Sequence, residues 1–441
     1  MGKYFGTDGI RGIINKDLTF DIAYKCGNAL GSATNKPTIV IGGDTRLTRS
    51  YITNAFAGGA MSAGANIIDV GICPTPCIAH ITRSIKADFG VVISASHNPA
   101  HHNGIKIFNN QGFKLGDKNE EALEQKFEQN IIESYGNVGT YVQNFGLVKL
   151  YEQQIANYCN TPLNNLTIVI DGSNGASYKI APKVFKRLGA KVITINCKNN
   201  GTHINDNCGA LYPESLAKAI IKHKANIGFA YDGDADRIIA CDEKGNIVDG
   251  DLIIYCLAKH LHAQGKLTNN TVAVTNHTNM GIEKALNNMG INVIRTDIGD
   301  KYVSEQIEKD RLSLGGEKSG HIILRECATS GDGILTSIKL AELVKINNQK
   351  LSELCDVEMY PQININCIVS HKTEIMASQE LKLEINRQEQ IMQNTGRIMV
   401  RVSGTESKIR IMCEGKNKEI CLACAQALEK IVKQIDSLHA K

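Results

Sequence analysis

A β-α-β pattern occurs three times along this chain of 441 residues and constrains its fold more than any other feature. Each copy has a short β-branched run, a helical stretch, a glycine and a second apolar run. The first runs begin at residues 38, 167 and 271, and the glycines are Gly64, Gly189 and Gly290. A strand, an amphipathic helix that ends at glycine and a second strand are typical of a mostly parallel sheet. Because the glycines lie 125 and 101 residues apart, each copy predicts a domain rather than one unit of a solenoid.

The C-terminal part of the chain has a different pattern and predicts a fourth domain. After Pro361, short alternating strands and a terminal amphipathic helix are typical of a small α+β domain. A polar helix over about residues 117–157 is expected to separate the first two domains. We therefore predict three related α/β domains at residues 1–155, 156–252 and 253–359, followed by a C-terminal α+β domain at residues 360–441.

Composition excludes two classes of partner. The chain has 49 Lys and Arg against 45 Asp and Glu, and its net charge of +4 is too small for a protein that binds nucleic-acid backbones. Trp is absent and aromatic residues make up 5% of the chain, which leaves few side chains for stacking on bases. No apolar run approaches membrane-spanning length. We therefore expect no nucleic acid and no membrane among the partners.

Fourteen cysteines are scattered along the chain, and their spacing argues against metal or disulfide chemistry. The CxxC at residues 421–424 lies in a helical pattern without a second pair, so an ordinary helix is favoured. The stretch Cys-Pro-Thr-Pro-Cys at residues 73–77 is followed by His80. Three soft ligands without a fourth make a weak zinc site, and a plain loop is favoured. We expect free thiols in a reducing cytoplasm.

The strongest local signal is the stretch Tyr-Asp-Gly-Asp-Ala-Asp-Arg at residues 231–237. In an extended loop alternate side chains point the same way, so Asp232, Asp234 and Asp236 would converge. Three carboxylates repel one another unless a cation lies between them, and hard oxygen ligands select Mg²⁺. A calcium-binding EF-hand would need glycine where Arg237 stands. A magnesium site is favoured, and a solvated acidic turn is the alternative.

A second signal is a buried strand that runs into the polar loop Ser-Ala-Ser-His-Asn-Pro at residues 94–99. Ser96 lies just past the strand, where its hydroxyl can face a cleft. The GxSxG elbow of hydrolases is missing, and His97 is no evident base because adjacent side chains diverge. A nucleophile and a plain turn remain equally open. Lys106 lies within an apolar strand, where it is either paired and useful or turned to solvent.

Two further stretches have the composition of ligand-binding loops. Residues 314–321, Leu-Gly-Gly-Glu-Lys-Ser-Gly-His, place Glu317 and Ser319 where they can bond hydroxyl groups, and a binding role is favoured. Residues 401–410 place Ser, Gly and Thr between two arginines, a set suited to a phosphate dianion. From that stretch alone a plain hairpin is favoured. Arg11 lies in a glycine-flanked loop that is uninformative by itself.

Together and in this order, these stretches resemble the α-D-phosphohexomutase superfamily over nearly the whole chain. The loops at residues 94–99, 232–237, 316–321 and 401–410 are similar to its serine, metal, sugar and phosphate signatures. Residues 3–12, 171–176, 203–209 and 299–303 resemble the branch that acts on amino-sugar phosphates. Four residues depart from the usual patterns, namely Lys301, Lys318, Val402 and Ser407.

The resemblance implies four domains around one central active-site cleft and a reversible reaction, glucosamine 6-phosphate to glucosamine 1-phosphate. That product would feed UDP-N-acetylglucosamine and cell-wall precursor synthesis. It implies that Ser96 is carried as phosphoserine, that Mg²⁺ is bound there with Asp232, Asp234 and Asp236, and that glucosamine 1,6-bisphosphate is the intermediate.

The resemblance also implies roles for the remaining site residues. The catalytic set, with proton-handling or phosphate-steadying roles beside the serine, is Ser96, Arg11, Lys106 and His321. The substrate-binding set is Glu317, Ser319, Arg401, Ser403, Gly404, Thr405 and Arg410. The alternatives are a phosphomannomutase or phosphoglucomutase, a phosphatase, and a metal-dependent phosphosugar-binding protein without turnover. The oligomeric state is not predicted.

Overall fold

The structure is a computed structural model that describes residues 3–6, 8–127, 129, 132–393, 395–403 and 407–439. The chain forms two compact units, which are described separately. The first comprises Met1–His277 and Gly290–Asp356, and the second comprises Thr278–Met289 and Val357–Lys441. In the part of the chain that the structure describes, no helix combines the length and apolar character needed to cross a membrane.

The first sheet of the first unit has seven strands. They are β1 (Phe5–Gly6), β2 (Gly9–Ile13), β3 (Thr38–Gly43), β4 (Asn66–Ile72), β5 (Phe89–Ile93), β6 (His102–Asn109) and β7 (Tyr141–Gln143). The spatial order is β1-β2-β6-β5-β3-β4-β7, with β3 parallel to β4 and β5. Its helices are α1 (Phe20–Gly31), α2 (Arg49–Ser62), α3 (Thr75–Ser84) and α4 (Asp117–Phe127). The first β-α-β unit is therefore β3, α2 and β4, as its sequence predicts.

The prediction of a single polar helix over residues 117–157 is wrong. The segment contains α4, then β7, and then α5 (Val148–Asn157), and β7 pairs in parallel with β4 at the edge of the sheet. Gly136, with a φ of +68°, and Gly139 interrupt the helical pattern, because glycine disfavours a helix interior. The polarity was misleading because an edge strand such as β7 exposes side chains to solvent.

The second sheet follows the second β-α-β unit. Its strands are β8 (Thr167–Asp171), β9 (Lys191–Ile195), β10 (Ile227–Tyr231), β11 (Ile238–Cys241) and β12 (Ile247–Val248), in the order β12-β11-β10-β8-β9. Its helices are α6 (Ile180–Arg187) and α7 (Glu214–His223). Gly189, just past α6, has a φ of +94°, a conformation that β-carbon sterics disfavour in other residues.

The third sheet has four strands. They are β13 (Thr271–Thr275), β14 (Asn292–Thr296), β15 (Leu314–Gly316) and β16 (Ile322–Leu324), in the order β14-β13-β15-β16. The helices along this part of the chain are α8 (Gly250–Ala263), α9 (Met280–Asn288), α10 (Asp300–Asp310), α11 (Gly333–Asn347) and α12 (Leu351–Leu354). The third repeat is thus present as β13, α9 and β14, although α9 belongs to the second unit.

The second unit contains an antiparallel sheet. Its strands are β17 (Gln362–Ile368), β18 (Gly396–Val402) and β19 (Lys408–Gly415), in the order β17-β19-β18. Its other helices are α13 (Lys372–Ala377), α14 (Gln379–Met392) and α15 (Lys418–His439). Cys421 and Cys424 lie on α15 with their side chains in the core. The predictions of an α+β architecture and of a plain helix at the CxxC are both confirmed.

Candidate active site

Four loops of the first unit bring polar side chains together, and each loop begins at the end of a strand. They are the β1–β2 loop with Asp8, the loop after β5 with Ser96, the loop after β10 with Asp234, and the β15–β16 turn with Glu317 and His321. The strands come from all three sheets of the unit. Residues far apart in the chain therefore share one site.

Ser96 is buried, and its hydroxyl faces the aspartate loop. Its Oγ donates a hydrogen bond to Oδ2 of Asp232 at 2.6 Å. Ser96 has a φ of +52°, a left-handed conformation that non-glycine residues adopt rarely and often at functional sites. This turn also brings Nδ1 of His97 to 3.3 Å from the Ser96 Oγ, so the expectation that the two side chains diverge is wrong.

His97 is nevertheless poorly suited to take the proton of Ser96. Its Nδ1 lone pair accepts a hydrogen bond from Nη1 of Arg237 at 2.9 Å. Burial and the positive charges of Arg237 and Arg11 lower the pKa of His97 to about 4. A neutral ring with an occupied lone pair has little basicity toward the serine.

The backbone of Ser96 is held by side chains that the sequence did not single out. Its N–H donates to Oγ of Ser94 at 2.8 Å, and that hydroxyl donates to Oδ2 of Asp44 at 2.6 Å. Asp44 pairs with Arg46 at 3.0 Å, and Nη2 of Arg46 donates to the Ser96 carbonyl at 3.0 Å. Arg46 and Asp44 have fully buried side chains. Both backbone polar groups of Ser96 therefore connect to one buried ion pair.

A residue of the second sheet's domain adds to this support. Asn205 donates from Nδ2 to the carbonyl of Ser96 at 2.8 Å and to that of Asn98 at 3.1 Å. Arg46 donates to the same Asn98 carbonyl at 2.7 Å. Arg46 and Asn205 thus both donate hydrogen bonds to the serine loop. These bonds offset the free-energy cost of the left-handed backbone conformation of Ser96.

Asp232, Asp234 and Asp236 converge as the sequence predicts. Each offers a carboxylate oxygen, these oxygens all lie within 4.8 Å of one another, and the side chains are buried rather than solvated. The loop is a turn, with Ala235 at a φ of +56°, so the predicted extended geometry is wrong although the convergence is present.

The donor set fits a hard divalent cation. Oδ1 of Asp234 and Oδ1 of Asp236 are buried and have no hydrogen-bond partner among the described residues. Leaving a carboxylate oxygen buried without a hydrogen bond is costly, and a cation beside such oxygens removes the cost; Oδ1 of Asp236 also has Nδ1 of His321 at 3.8 Å. Carboxylate oxygens in this number suit Mg²⁺. That these residues bind it remains a prediction.

Lys106 is paired with the aspartates and does not face solvent, so that alternative is wrong. Its Nζ lies 2.8 Å from Oδ2 of Asp234, 3.1 Å from Oδ2 of Asp236 and 3.2 Å from Oδ2 of Asp8. Burial alone would lower the pKa of Lys106, but these three carboxylates raise it well above its usual value. Lys106 is therefore a fixed positive charge in the arrangement observed.

Asp8 is a site residue that the sequence did not single out, although it shares the glycine-flanked loop with Arg11. It is bonded to Arg11 and to Lys114, and Lys114 is bonded in turn to Asp300 at the start of α10. Burial would raise the pKa of Asp8, but Arg11, Lys106 and Lys114 hold it well below its usual range. A continuous network of charges thus runs from the N-terminal loop to α10.

The sugar-binding candidates lie at the β15–β16 turn. Glu317 accepts from the Gly299 N–H at 3.2 Å, and Ser319 donates to Glu317 at 3.4 Å. Burial raises the pKa of Glu317. A buried acid beside a hydroxyl offers both an acceptor and a donor to a ligand, which is a pattern that suits sugar hydroxyls.

His321 is buried between two carboxylates. Its Nδ1 lies 3.8 Å from Oδ1 of Asp236, and its Nε2 lies 3.8 Å from Oδ2 of Asp300. The Gly331 N–H donates to Nε2 at 3.0 Å, so that atom carries no proton here. Burial would lower the pKa of His321, but Asp236 and Asp300 raise it. His321 is therefore able to accept a proton.

The phosphate-binding candidates belong to the second unit. Arg401 and Arg410 are opposite partners on β18 and β19, and the buried Ser403 follows β18. Gly404 and Thr405 lie outside the described residues. Burial and the charge of Arg410 lower the pKa of Arg401. Two guanidinium groups on neighbouring strands, beside a buried hydroxyl, suit a phosphate dianion, and the phosphate site remains a prediction.

In the part of the chain that the structure describes, the cysteine stretch at residues 73–77 does not form a cluster of metal-ligand geometry. Among the described residues the aspartate triad is the sole cluster with metal-binding geometry. Cys77 and His80 lie on α3, so the stretch is only partly the loop that was expected. Burial and a hydrogen bond with Cys73 raise the pKa of Cys77 well above its usual value. All fourteen cysteines are free thiols.

Comparison with known proteins agrees with this fold. The models of phosphoglucomutase/phosphomannomutase alpha/beta/alpha domains I, II and III match residues 2–133, 149–245 and 249–360. The model of the family's C-terminal domain matches residues 365–431.

Curated relatives are similar over the whole chain. A phosphoglucosamine mutase of Carboxydothermus hydrogenoformans is 44% identical, over 99% of this chain and 100% of the relative. One from Clostridioides difficile is 42% identical, over 98% of this chain and 99% of the relative.

Solved structures share the fold. A phosphoglucomutase/phosphomannomutase family protein from Burkholderia thailandensis superposes with a TM-score of 0.83 at 21% identity, covering 98% of this chain and 97% of the other. An N-acetylphosphoglucosamine mutase of Aspergillus fumigatus, solved with GlcNAc-6P and magnesium, has a TM-score of 0.68 at 16% identity, covering 98% and 96%.

The chain therefore belongs to the phosphoglucomutase/phosphomannomutase family of α-D-phosphohexomutases. Within that family it belongs with the phosphoglucosamine mutases, and it is an enzyme of the isomerase class.

Proposed function

We propose that this enzyme converts glucosamine 6-phosphate into glucosamine 1-phosphate and back, which would supply UDP-N-acetylglucosamine for cell-wall precursors. The observation that carries the proposal is the Ser96 hydroxyl, buried and 2.6 Å from Asp232 in the aspartate triad. A protein that only binds sugar phosphates has no use for a hydroxyl held in this way. The free thiols agree with a reducing cytoplasm as its location.

The proposed reaction passes one phosphoryl group through Ser96, which the active enzyme carries as phosphoserine. The bond between phosphorus and the Ser96 Oγ breaks as a bond forms to the free hydroxyl of the sugar phosphate. The sugar hydroxyl loses its proton to a base, and the freed Ser96 oxygen takes up a proton to become a hydroxyl. The product of this half is glucosamine 1,6-bisphosphate. After the bisphosphate reorients, the bond from its other phosphoryl group to the sugar breaks as a bond forms to the Ser96 Oγ. The Ser96 hydroxyl gives up its proton, the freed sugar oxygen gains one, and the isomer is released.

The metal site and the cations around it fit this transfer. Mg²⁺ held by Asp232, Asp234 and Asp236 would neutralise charge on the transferring group. Lys106 and Arg11 are fixed positive charges beside Asp8, and we assign them to steadying the phosphate. His321 has an unprotonated Nε2, and we assign it to proton transfer.

The remaining candidates are assigned to binding. Glu317 and Ser319 would bond the sugar hydroxyls that are common to both orientations of the bisphosphate. The phosphate that is not reacting needs an anchor in either orientation. We assign that anchor to Arg401, Ser403, Gly404, Thr405 and Arg410.

Turnover of three substrates tests the proposal. The enzyme, with Mg²⁺ and a catalytic amount of sugar bisphosphate, is assayed with the 6-phosphates of glucosamine, glucose and mannose. We expect the highest kcat/KM with glucosamine 6-phosphate and no turnover with Ser96→Ala. A higher kcat/KM with glucose or mannose would indicate a phosphoglucomutase or phosphomannomutase. Stoichiometric release of inorganic phosphate would indicate a phosphatase, and binding without turnover would indicate a binding protein.

A further inference from the structure

We propose that Thr75 is a positioning residue for the metal loop, because it orients the Asp234 carboxylate so that one oxygen is left for the divalent cation. The inference rests on the proposed function, since it takes the aspartate triad to be the metal site. Thr75 lies in the Cys-Pro-Thr-Pro-Cys stretch, to which neither the zinc interpretation nor the proposed reaction gives a role.

Thr75 contacts Asp234 twice. Its Oγ1 donates to Oδ2 of the carboxylate at 2.6 Å, and its backbone N–H donates to the Asp234 carbonyl at 2.9 Å. Both residues are fully buried. Thr75, which lies in the domain of the first sheet, therefore fixes the backbone and the side chain of Asp234, which follows β10 in the second sheet.

The two oxygens of Asp234 are used unequally. Oδ2 accepts from the Thr75 hydroxyl and from Nζ of Lys106, at 2.6 and 2.8 Å. Oδ1 is buried and has no hydrogen-bond partner among the described residues. The terminal torsion of an aspartate is broad, so nothing intrinsic to the side chain fixes which oxygen faces the other carboxylates. The two hydrogen bonds to Oδ2 fix the orientation of the carboxylate, and Oδ1 remains available as a metal ligand.

The local sequence makes Thr75 a rigid donor. Thr75 is the first residue of α3, where a backbone N–H has no partner inside the helix and can bond the Asp234 carbonyl. Pro74, with a φ of −58°, and Pro76 restrict the backbone on either side. The N–H of Cys73 donates to the Gly43 carbonyl at 2.9 Å, which ties the start of the stretch to β3.

The same helix provides a matched control. Thr82 is also fully buried on α3, and its Oγ1 donates to the Ile78 carbonyl at 2.8 Å, within the helix. Thr75→Val and Thr82→Val each replace one buried hydroxyl by a methyl group of similar size. They differ in that only the first removes a bond to the metal loop. Thr75→Ser keeps the hydroxyl and tests rescue.

The measurement is Mg²⁺ affinity by titration calorimetry, without sugar phosphate, on proteins matched for Ser96 phosphorylation by intact mass. Groups that orient a metal ligand typically contribute about 10- to 100-fold in affinity. We expect Thr75→Val to bind Mg²⁺ at least about tenfold more weakly than wild type, and Thr75→Ser and Thr82→Val to bind it within about twofold.

The outcomes separate this inference from the proposed function. Absence of Mg²⁺ binding by the wild-type protein would overturn the metal site itself. Normal binding by wild type together with equal affinities of Thr75→Val and Thr82→Val would overturn the role of Thr75 alone. Weakening in Thr75→Val that Thr75→Ser does not rescue would also overturn it, because a hydroxyl would then not be the cause.

Discussion

Arg46 donates a hydrogen bond to the backbone carbonyl of Ser96 at 3.0 Å, although 50 residues separate the two in the chain. Its partner Asp44 reaches the Ser96 N–H through the Ser94 hydroxyl. The buried pair thus holds Ser96 in its left-handed conformation from both sides of the residue, and this conformation directs the hydroxyl toward Asp232.

Arg46→Lys tests this support of the serine loop. Lysine keeps the positive charge but lacks the planar fork that serves several carbonyls at once. We expect kcat to fall at least about tenfold, the cost of about 1.4 kcal/mol in the transition state. KM should change little, because Glu317 and Ser319 lie on a different loop.

Steady-state kinetics with glucosamine 6-phosphate measure the two constants. Arg325→Lys, which alters a half-exposed arginine paired with Glu308 at 2.8 Å, is the control. A wild-type kcat in Arg46→Lys would mean that the pair only stabilises the fold. Equal changes of kcat and KM would place Arg46 in substrate binding instead.

Asp234→Asn removes one of three converging negative charges without changing the shape of the side chain. Both Mg²⁺ affinity and turnover should fall at least about tenfold, because a neutral amide oxygen binds a hard cation more weakly than a carboxylate does. Calorimetry and activity at limiting Mg²⁺ measure this. Asp206→Asn, at an exposed position of the same domain, is the control. Wild-type activity of Asp234→Asn at limiting Mg²⁺ would show that the triad is no metal site.

Arg410→Ala tests the anchor for the phosphate that is not reacting. A hydrogen bond to a charged group contributes roughly 1.5–3 kcal/mol, so kcat/KM should fall by roughly 10- to 100-fold. The loss should appear with the 1-phosphate and the 6-phosphate alike, because one anchor serves both orientations. Mg²⁺ affinity should stay unchanged, since the aspartates belong to the other unit.

Arg387→Ala, at an exposed position on α14, is the control for this variant. Kinetics are measured in both directions of the reaction. A fall in kcat/KM in only one direction of the reaction, or an equal loss of Mg²⁺ affinity, would assign the loop a different role.

The raised pKa of Asp332 predicts that the stability of the fold depends on pH. Asp332 is the buried N-cap of α11 and accepts from the Tyr151 hydroxyl at 2.9 Å. Burial raises its pKa to about 6, above the unfolded value of about 3.9. The folded state therefore holds the extra proton, and the associated stability is present below pH ~4 and lost as the pH rises through ~6.

Asp332→Asn removes this titration and keeps an N-cap side chain. Relative to wild type, the variant should gain roughly 2 kcal/mol between pH ~4 and ~7. Urea unfolding at the two pH values measures the difference. A difference between variant and wild type that does not change with pH would show that Asp332 is ionised throughout this range.

Local sequence was sufficient for the strands of the three β-α-β repeats and for the convergence of the aspartate triad. Runs such as residues 167–170 determine a buried strand by themselves, and Asp232, Asp234 and Asp236 are close enough in sequence to be recognised together. The prediction of one polar helix over residues 117–157 was wrong because two glycines and an edge strand interrupt the segment. The side chains are polar on both sides of these interruptions, so polarity alone did not reveal them.

The supporting residues were missed for a different reason. Arg46, Thr75 and Asn205 act on partners 50, 159 and 109 residues away. Lys114 bonds both Asp8 and Asp300, which lie far apart in the chain. No spacing rule relates residues that come together through tertiary folding, so a single sequence carries no pattern for them.

Transfer of the Ser96 phosphoryl group to the sugar is measured most directly in a single turnover. Enzyme with a radiolabelled phosphoryl group, located on Ser96 by peptide mapping, is mixed with unlabelled glucosamine 6-phosphate and Mg²⁺ and quenched at intervals. We predict that the label leaves the protein and appears first in glucosamine 1,6-bisphosphate and then in glucosamine 1-phosphate, at a rate no slower than kcat. Label that stays on the protein while glucosamine 1-phosphate forms, or that is released as inorganic phosphate at that rate, would contradict the mechanism.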